Sequence, residues 1–264
     1  MIITNKRKEE LDIVFNGIKM ECVEHERFLG VILDDRLSWS HHISQLSAKI
    51  SRNAGILYKV KGIVPNSVLK CLYNSFIQSH LNYCSTVWGL GTKNSINKLF
   101  VAQKKAVRAI ENGNNVYFDP VTKETPCHTK QIFERNKILT IHNLIAKNCL
   151  VLMHRIRLQA LPLKISNLFY LSTANRPRRD IKFFEVPFAR LKSSENSIFV
   201  KGPKMYNSII NEIDNNEHTS DHLKVRNTFL NRFKNIVTLF LLDAQKTGAS
   251  EIWTNENFII HKSI

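Results

Sequence analysis

Two adjacent acidic residues, Asp34 and Asp35, follow the apolar run 31–33 and are the first candidates for chemistry. Paired carboxylates can hold divalent metals in polymerases, but a two-metal site needs several carboxylates converging on ions about 4 Å apart. Neighbouring side chains of a strand also point to opposite faces, so only one of the two can enter a given pocket. Residues 36–40 favour a turn into a helix N-terminus, where Asp and Ser act as caps. We therefore predict a structural role for the pair.

No other catalytic or metal-binding motif stands out in the sequence. It has no G-x-S-x-G, no glycine-rich phosphate loop and no H-E-x-x-H. Cys22 and His25, followed by His41 and His42, lack the second well-spaced pair that a zinc site requires. His41 and His42 are predicted to be capping or surface groups at a helix start. The five cysteines are widely spaced and favour buried free thiols in a reducing compartment. We predict no catalytic residue, metal or cofactor in this chain.

Basic residues on two predicted helices form the main candidate binding surface. On a rigid bundle, such side chains can follow a phosphate backbone, which gives sequence-independent and salt-sensitive affinity. The alternative is a solvated helical face without a partner, and the residues alone leave both open. The residues concerned are Lys49, Arg52, Lys59 and Lys61 on the first helix, and Lys98, Lys104, Lys105 and Arg108 on the third.

The overall charge agrees with a polyanionic partner. The chain of 264 residues has 38 Lys and Arg against 22 Asp and Glu, a net charge of +16 and a pI of about 9.7. Such an excess favours nucleic acid, the commonest large polyanion. The N-terminal residues become charged too early for a secretory signal, and the apolar run 236–242 is far shorter than the ~20 residues of a membrane span. We expect an intracellular protein, in the nucleus or cytoplasm, without a membrane partner.

The pattern predicts a short β segment before the helices. Asn16-Gly17 between two apolar-rich runs favours a hairpin, because both turn residues need positive φ. A third strand is predicted from Phe28 to Leu33, buried on both faces because nearly every position is apolar.

Helical periodicity begins near His41. In the first helix, apolar residues recur every three to four positions and form one face. A second helix over 66–88 has a wider apolar face. A third helix runs from about Ser95 and ends at residues 112–115. Three helices with one apolar face each predict a compact bundle. Further helical patterns cover 131–161, 204–213 and 223–244. The fold class is α+β, mostly α: a short N-terminal antiparallel β segment, a three-helix bundle and a helical C-terminal region. The first helix face comprises Ile43, Leu46, Ile50, Ala54 and Leu57, and the second includes Val68, Tyr73, Phe76, Ile77, Leu81, Val87 and Trp88.

An ordered series of motifs resembles reverse transcriptases of jockey-type non-LTR retrotransposons, in the segment downstream of the catalytic palm. The family pattern is a Leu-Gly-Val strand, a Leu-x-Trp-x-x-His-Ile helix start, a Leu-Tyr helix ending in Tyr-Cys then Val-Trp-Gly, and a Gln-Lys helix with Arg near its end. The matching residues are Leu29-Gly30-Val31, Leu37, Trp39, His42, Ile43, Leu72-Tyr73, Tyr83-Cys84, Val87-Trp88-Gly89, Gln103-Lys104 and Arg108.

The resemblance continues more weakly towards residue 244. Leu161-Pro162, Arg178 in a basic loop and the segment KGPKMYNSI occur in the family's order. That segment resembles the family's Gly-Pro-x-x-Trp-Asn, with Tyr206 where Trp is usual. The family's aromatic-Ala-Asp-Asp turn lies upstream of these motifs and is absent here, so the resemblance implies that Asp34 and Asp35 are not metal ligands.

The resemblance implies a truncated reverse transcriptase that lacks its catalytic Asp motif. Residues 1–40 would be the end of the palm with a primer-grip-like β segment, 41–115 a thumb-like helical bundle, and 116–264 a helical C-terminal extension. Phe28, Leu29 and Gly30 would help to seat the primer terminus, and the basic helices would hold an RNA/DNA template–primer duplex. Any Mg²⁺ would belong to the missing catalytic part, and no small-molecule substrate is expected.

Two other functions stay open. The chain can be a stand-alone nucleic-acid-binding protein exapted from such an element. It can also be a helical protein-interaction module whose seam is the wide apolar face of the second helix, although we expect that face to be core.

Overall fold

The computed structural model describes residues 3, 13–111, 129–172, 183–214 and 226–247. Within these ranges, two short β-hairpins are followed by helices, and the predicted fold class is confirmed. No helix of these ranges is long and apolar enough to cross a membrane. Several predicted features lie outside the described residues: the helix stop at 112–115, the basic loop around Arg178 and the palm-like residues 1, 2 and 4–12.

The first hairpin forms where Asn16-Gly17 predicts it. Strand β1 (Val14–Phe15) pairs antiparallel with β2 (Ile18–Lys19), and the two turn residues have φ of 50° and 77°. Positive φ at both positions is the requirement that makes Asn-Gly favourable in two-residue hairpins. All four strand residues are exposed, including the apolar Val14, Phe15 and Ile18.

A second hairpin replaces the predicted strand from Phe28 to Leu33, which is wrong over its first half. Strand β3 (His25–Phe28) pairs with β4 (Val31–Asp34) through a two-residue turn. The turn residues Leu29 and Gly30 have φ of 47° and 81°, so they reverse the chain. Only β4 has a buried face, and the charged residues before Phe28 form a strand rather than a connector.

Eleven helices and one π-helical turn follow in the described ranges. Their bounds are α1 Ser40–Val60, α2 Asn66–Tyr73, the π turn Asn74–Gln78, α3 Ser79–Asn82, α4 Ser85–Trp88, α5 Lys93–Ile110, α6 Thr129–Arg135, α7 Ile141–Arg157, α8 Leu163–Ser166, α9 Lys192–Glu195, α10 Ile198–Asp214 and α11 Arg226–Thr247.

The predicted core face of α1 is buried at every position. It packs mainly against α5, whose inward face carries apolar residues and the fully buried Gln103. Helical periodicity was sufficient here because both helices have one apolar side. The buried apolar residues of α1 are Ile43, Leu46, Ile50, Ala54 and Leu57.

The predicted second helix is wrong as one continuous element. It becomes α2, the π turn, α3 and α4, with a break at Cys84, whose φ is 50°. The side chain of Asn53 donates to the carbonyl of Phe76 within the π turn, at 2.6 Å. Its wide apolar face also divides: Tyr73, Ile77, Leu81 and Trp88 are buried, and Val68, Phe76 and Val87 are exposed.

Two predicted C-terminal elements also differ. The 131–161 pattern is α6 and α7, separated by a turn at Lys137 with φ of 53°. Helix α10 begins at Ile198, six residues before the predicted start, and contains Pro203. Gly202 lets α10 approach α7, since a Cβ there would lie 2.9 Å from the sulfur of Met153. The prediction for the last helix agrees within three residues at each end.

Two buried glutamines hold the connection between α6 and α7. Gln103 on α5 donates to the carbonyl of Leu139 and accepts from the amide of Ile141, at 3.0 and 2.8 Å. Gln245 on α11 accepts from the amide of Thr140 and donates to the carbonyl of Ile138, at 3.1 and 3.2 Å. Buried backbone groups need such partners, so these side chains replace the missing helical bonds. The apolar residues of both halves form one continuous core.

The KGPKMYNSI segment lies on α10 and fastens the residues before it. Asn207 donates to the carbonyl of Phe184 at 2.8 Å and accepts from the amides of Phe183 and Phe184, both at 3.1 Å. The hydroxyl of Tyr206 contacts His154 Nδ1 at 3.0 Å and Arg157 at 3.2 Å. Tyrosine therefore supplies a buried polar contact at the position where the resembling family usually has Trp.

Candidate nucleic-acid interface

The carboxylate of Asp34 is a structural group. It is buried, and its oxygens accept from the amides of Arg36, Ser38 and Trp39 at 3.2, 2.8 and 2.7 Å and from the Ser38 hydroxyl at 3.2 Å. These bonds order the loop between β4 and α1, where Leu37 and Trp39 have positive φ. Both oxygens are occupied by donors, so a metal would have to displace the contacts that hold this loop.

The predicted surface role of His42 is wrong, whereas His41 is exposed. His42 is buried, and its Nδ1 accepts from the amide of Ile32 at 3.4 Å. Burial, and then the charge of Arg27, lower the pKa of this imidazole. It therefore joins β4 to α1 as a neutral ring. Among the cysteines, Cys149 is buried, but Cys22 and Cys71 are exposed, which corrects the prediction of buried thiols.

Phe28, Leu29 and Gly30 form the exposed tip of the second hairpin. Phe28 is 63% exposed and Leu29 is 75% exposed. The hydroxyl of Tyr83 donates to the carbonyl of Leu29 at 2.6 Å, and its ring would lie 3.5 Å from a Cβ at residue 30. The tip is thus fixed against the break between α3 and α4 while its apolar side chains remain accessible.

The residues that carry the resemblance contact one another around that break. The indole of Trp88 is buried, and its Nε1 donates to the carbonyl of Tyr83 at 2.8 Å. A Cβ at Gly89 would lie 2.8 Å from the side chain of Ile145, so glycine permits α7 to approach. These residues position the hairpin tip and join the bundle to α7.

The first helix presents its basic residues to solvent. Lys49, Arg52 and Lys59 are exposed, and Lys61 is half-buried with its Nζ 5.9 Å from the ring of Tyr58. Arg52 and Lys59 are seven residues apart and therefore lie on the same face. Lys49 lies on the flank nearer α3, which contains His80. The pKa of His80 is lowered first by burial and then by the charge of Lys49.

The third predicted helix, α5, divides its basic residues between two flanks. Lys98 and Lys105 are exposed and seven residues apart, and the carbonyl of Lys105 accepts from the hydroxyl of Tyr58 on α1 at 3.1 Å. Lys104 instead lies over the ring of Phe100, 4.6 Å from its centroid. Arg108 donates to the hydroxyl of Thr129 on α6 at 3.1 Å. The structure therefore brings Lys98 and Lys105 beside α1, and Lys104 and Arg108 onto the flank towards α6 and α7.

Two small residues of α1, Ser51 and Gly55, are exposed next to Arg52. Ser51 lies one heptad before Tyr58, so it faces α5 as Tyr58 does. Gly55 would have no atom within 4 Å of an added Cβ. The backbone of α1 is therefore accessible at Gly55.

Acidic residues are distributed unevenly along the chain, and the motifs give no indication of this. Residues 36–110 contain eleven Lys and Arg and no Asp or Glu, whereas the other 189 residues contain 27 Lys and Arg and 22 Asp and Glu. An even distribution of the 22 acids would place about six in this segment. The 75 residues thus hold +11 of the net charge of +16. We call residues 36–110 the acid-free segment; it comprises α1 to α5 and their connections.

The acid-free segment can bind an extended polyanion through exposed cations on a rigid support. It offers no carboxylate for acid–base chemistry, and no group of three or more His, Cys, Asp or Glu that could hold a metal occurs in the described ranges. Comparisons with protein-family models, curated proteins and solved structures found no match for this chain.

Proposed function

We propose that this chain is the end of the palm, the thumb and the C-terminal extension of a non-LTR retrotransposon reverse transcriptase, and that it binds the RNA/DNA template–primer duplex. The observation that carries the proposal is the acid-free segment, whose cations Arg52, Lys59, Lys98 and Lys105 are exposed on two helices packed side by side. Phosphate contacts of this kind need positive charge at fixed positions and no base recognition.

The hairpin tip supports a second contact of the same duplex. Phe28 and Leu29 expose apolar surface on a turn that Tyr83 and the β3–β4 ladder hold in place. A rigid apolar tip can pack against the sugar or base face at a primer end. The guanidinium of Arg27 on β3 donates to the side-chain oxygen of Gln45 on α1 at 3.1 Å, and the buried His42 of α1 accepts from the Ile32 amide of β4 at 3.4 Å, so the hairpin is joined to the helix.

The exposed first hairpin supports a role within a larger assembly. Val14, Phe15 and Ile18 are 61–70% exposed. A two-stranded hairpin of this length is marginal by itself and needs a surface to pack on. In the proposed enzyme that surface is the rest of the palm, which also supplies the catalytic carboxylates and the Mg²⁺.

A binding titration with the full chain tests the proposal. Fluorescence anisotropy with a labelled 20-base-pair RNA/DNA hybrid gives affinity at several NaCl concentrations. Four exposed cations predict a slope of log affinity against log salt of about −3 to −4, at roughly −0.9 for each phosphate neutralised. Absent or salt-insensitive binding would contradict the proposal. With nucleotides and Mg²⁺ added, we expect no primer extension by this chain.

Reading the coding sequence upstream of Met1 separates the enzyme fragment from the stand-alone binding protein. The proposal predicts an open frame that continues upstream into a Lys-Thr strand and an aromatic-Ala-Asp-Asp turn. A transcript that begins at Met1 would instead assign the binding surface to an independent protein.

A further inference from the structure

A cavity of about 330 Å³ lies between the α3–α4 break and helices α7 and α11. This volume is at the small end of the range for small-molecule sites, roughly 300–1,000 Å³. The lining includes Lys147 from α7 and Lys234 from α11, and it contains no carboxylate. Asn82, Cys84, Ser85 and Thr86 of the acid-free segment line it, but none of the cations proposed to bind the duplex does.

Two ammonium groups share this cavity without a counter-charge. Neither Lys147 nor Lys234 has a carboxylate partner in the described part of the chain. Burial, and then the charge of Lys234, lower the pKa of Lys147. Like charges near one another in a partly desolvated site repel, and an anion between them relieves that repulsion.

The polar lining includes donors whose oxygens are already engaged. Asn148 Nδ2 donates to Asn82 Oδ1 at 3.2 Å and to Ser85 Oγ at 2.7 Å. The oxygens of Asn82 and Ser85 are therefore engaged as acceptors, which leaves the Asn82 amide hydrogens and the Ser85 hydroxyl hydrogen to donate. Thr86 adds a further hydroxyl. Two ammoniums with amide and hydroxyl donors match the several acceptor oxygens of a phosphate group.

We propose that this cavity binds a phosphate group, held by Lys147 and Lys234 and by the donors of Asn82 and Ser85. The proposal stands apart from the duplex-binding function, because it rests on a cavity and on two lysines that the duplex-binding proposal does not use. The phosphate comes either from a small molecule or from the backbone of a nucleic-acid strand, and both present the same oxygens.

Cys84 provides the reporter, since it lines the cavity and is half-buried, whereas Cys71 is exposed and outside it. The full chain is alkylated with N-ethylmaleimide, and each cysteine is followed by mass spectrometry at constant ionic strength. Inorganic phosphate at ten times its dissociation constant should slow modification of Cys84 roughly tenfold, since the unoccupied fraction falls by that factor. Cys71 should react at an unchanged rate, and NaCl of equal ionic strength should protect neither thiol.

The variant Lys147→Gln with Lys234→Gln should lose the protection, and Lys137→Gln with Lys164→Gln, which removes two exposed cations outside the cavity, should retain it. A second arm uses oligothymidylate without terminal phosphates. Protection by this strand at lower concentration than inorganic phosphate identifies the backbone as source, and protection by inorganic phosphate alone identifies a small molecule. If wild-type Cys84 is protected by neither, or equally by chloride, the proposal is overturned. Protection that survives in a folded double variant also overturns it.

Discussion

The acid-free segment and the C-terminal helices α6–α11 are stabilised alike but differ in surface charge. Both bury aliphatic and aromatic residues in one core, and both contain buried polar groups with defined partners. The C-terminal ranges also carry acids among their Lys and Arg residues, with ion pairs such as Lys204–Glu195, whereas residues 36–110 have none. Exposed ion pairs contribute little to stability, and a surface of one sign repels itself. Folding therefore does not explain the exclusion of acids from residues 36–110, and this exclusion is the ground on which the proposed polyanionic partner rests.

The largest expected effect is a loss of stability when a residue at the junction between the two regions is changed. Gln103→Leu would leave the Ile141 amide, the Leu139 carbonyl and the Tyr73 hydroxyl without their present partner. Buried groups left unsatisfied cost about 1–3 kcal/mol each, so we expect a loss of about 4 kcal/mol in the free energy of unfolding. Urea denaturation measures it. Gln45→Leu removes one exposed bond to Arg27 and should change stability by less than about 0.5 kcal/mol. Equal effects of the two changes would refute the role of Gln103 at the junction.

A pH-dependent stability should distinguish the C-terminal region. His154 is buried between Tyr206 and the ring of Phe233, stacked at 3.8 Å, and burial, then Arg157, lower its pKa to about 4. The unfolded chain takes up this proton near pH 6.5, so stability is full above that value and falls as the pH decreases towards 4. Between pH 7 and pH 5 we expect a loss of about 2 kcal/mol from this residue.

The variant His154→Gln isolates that contribution, because glutamine can bond Tyr206 but does not titrate. Its stability should fall less than that of the wild type over the same pH interval, when both are measured by urea denaturation. Identical pH profiles would show that His154 is not a neutral buried ring.

The smallest expected effect concerns the loop that leads into the acid-free segment. Asp34→Asn removes the charge that strengthens bonds to three backbone amides, and we expect a loss of about 1.5 kcal/mol. Thermal unfolding in the presence of a chelator measures it. Glu24→Gln, at an exposed residue before the same hairpin, should change stability by less than about 0.5 kcal/mol. An Asp34→Asn protein as stable as the wild type would mean that the carboxylate is not needed for the loop.

Local periodicity predicted those parts of the fold that depend on one apolar face. The α1 face and the Asn16-Gly17 hairpin are of this kind. Local periodicity did not predict three changes of chain direction, the turn at Leu29, the break at Cys84 and the turn at Lys137. Each has a positive φ without Asn or Gly at that residue. The turn at Lys137 leads into a connection held by Gln103 and Gln245, which lie far away in the sequence, so no local pattern encodes it.

The candidate surface was predictable in part. The exposure of Arg52, Lys59, Lys98 and Lys105 followed from helical spacing. The orientation of Lys104 and Arg108 towards α6 and α7 did not, because it depends on how those helices pack against α5. The missing acids of residues 36–110 could have been counted from the sequence, and they distinguish this surface better than any motif.

A matched pair of charge variants tests the central claim most directly. Arg52, Lys98 and Lys105 are changed together to Gln in one protein, and the exposed Arg155, Lys137 and Lys164 in another, so both lose three positive charges. Anisotropy titrations with the RNA/DNA hybrid then give the salt slope for each. We predict that the first variant loses about 2–3 units of slope magnitude and that the second retains the wild-type slope. If the two variants bind the hybrid equally, the affinity reflects net charge alone, and the account of residues 36–110 as the duplex-binding surface is wrong.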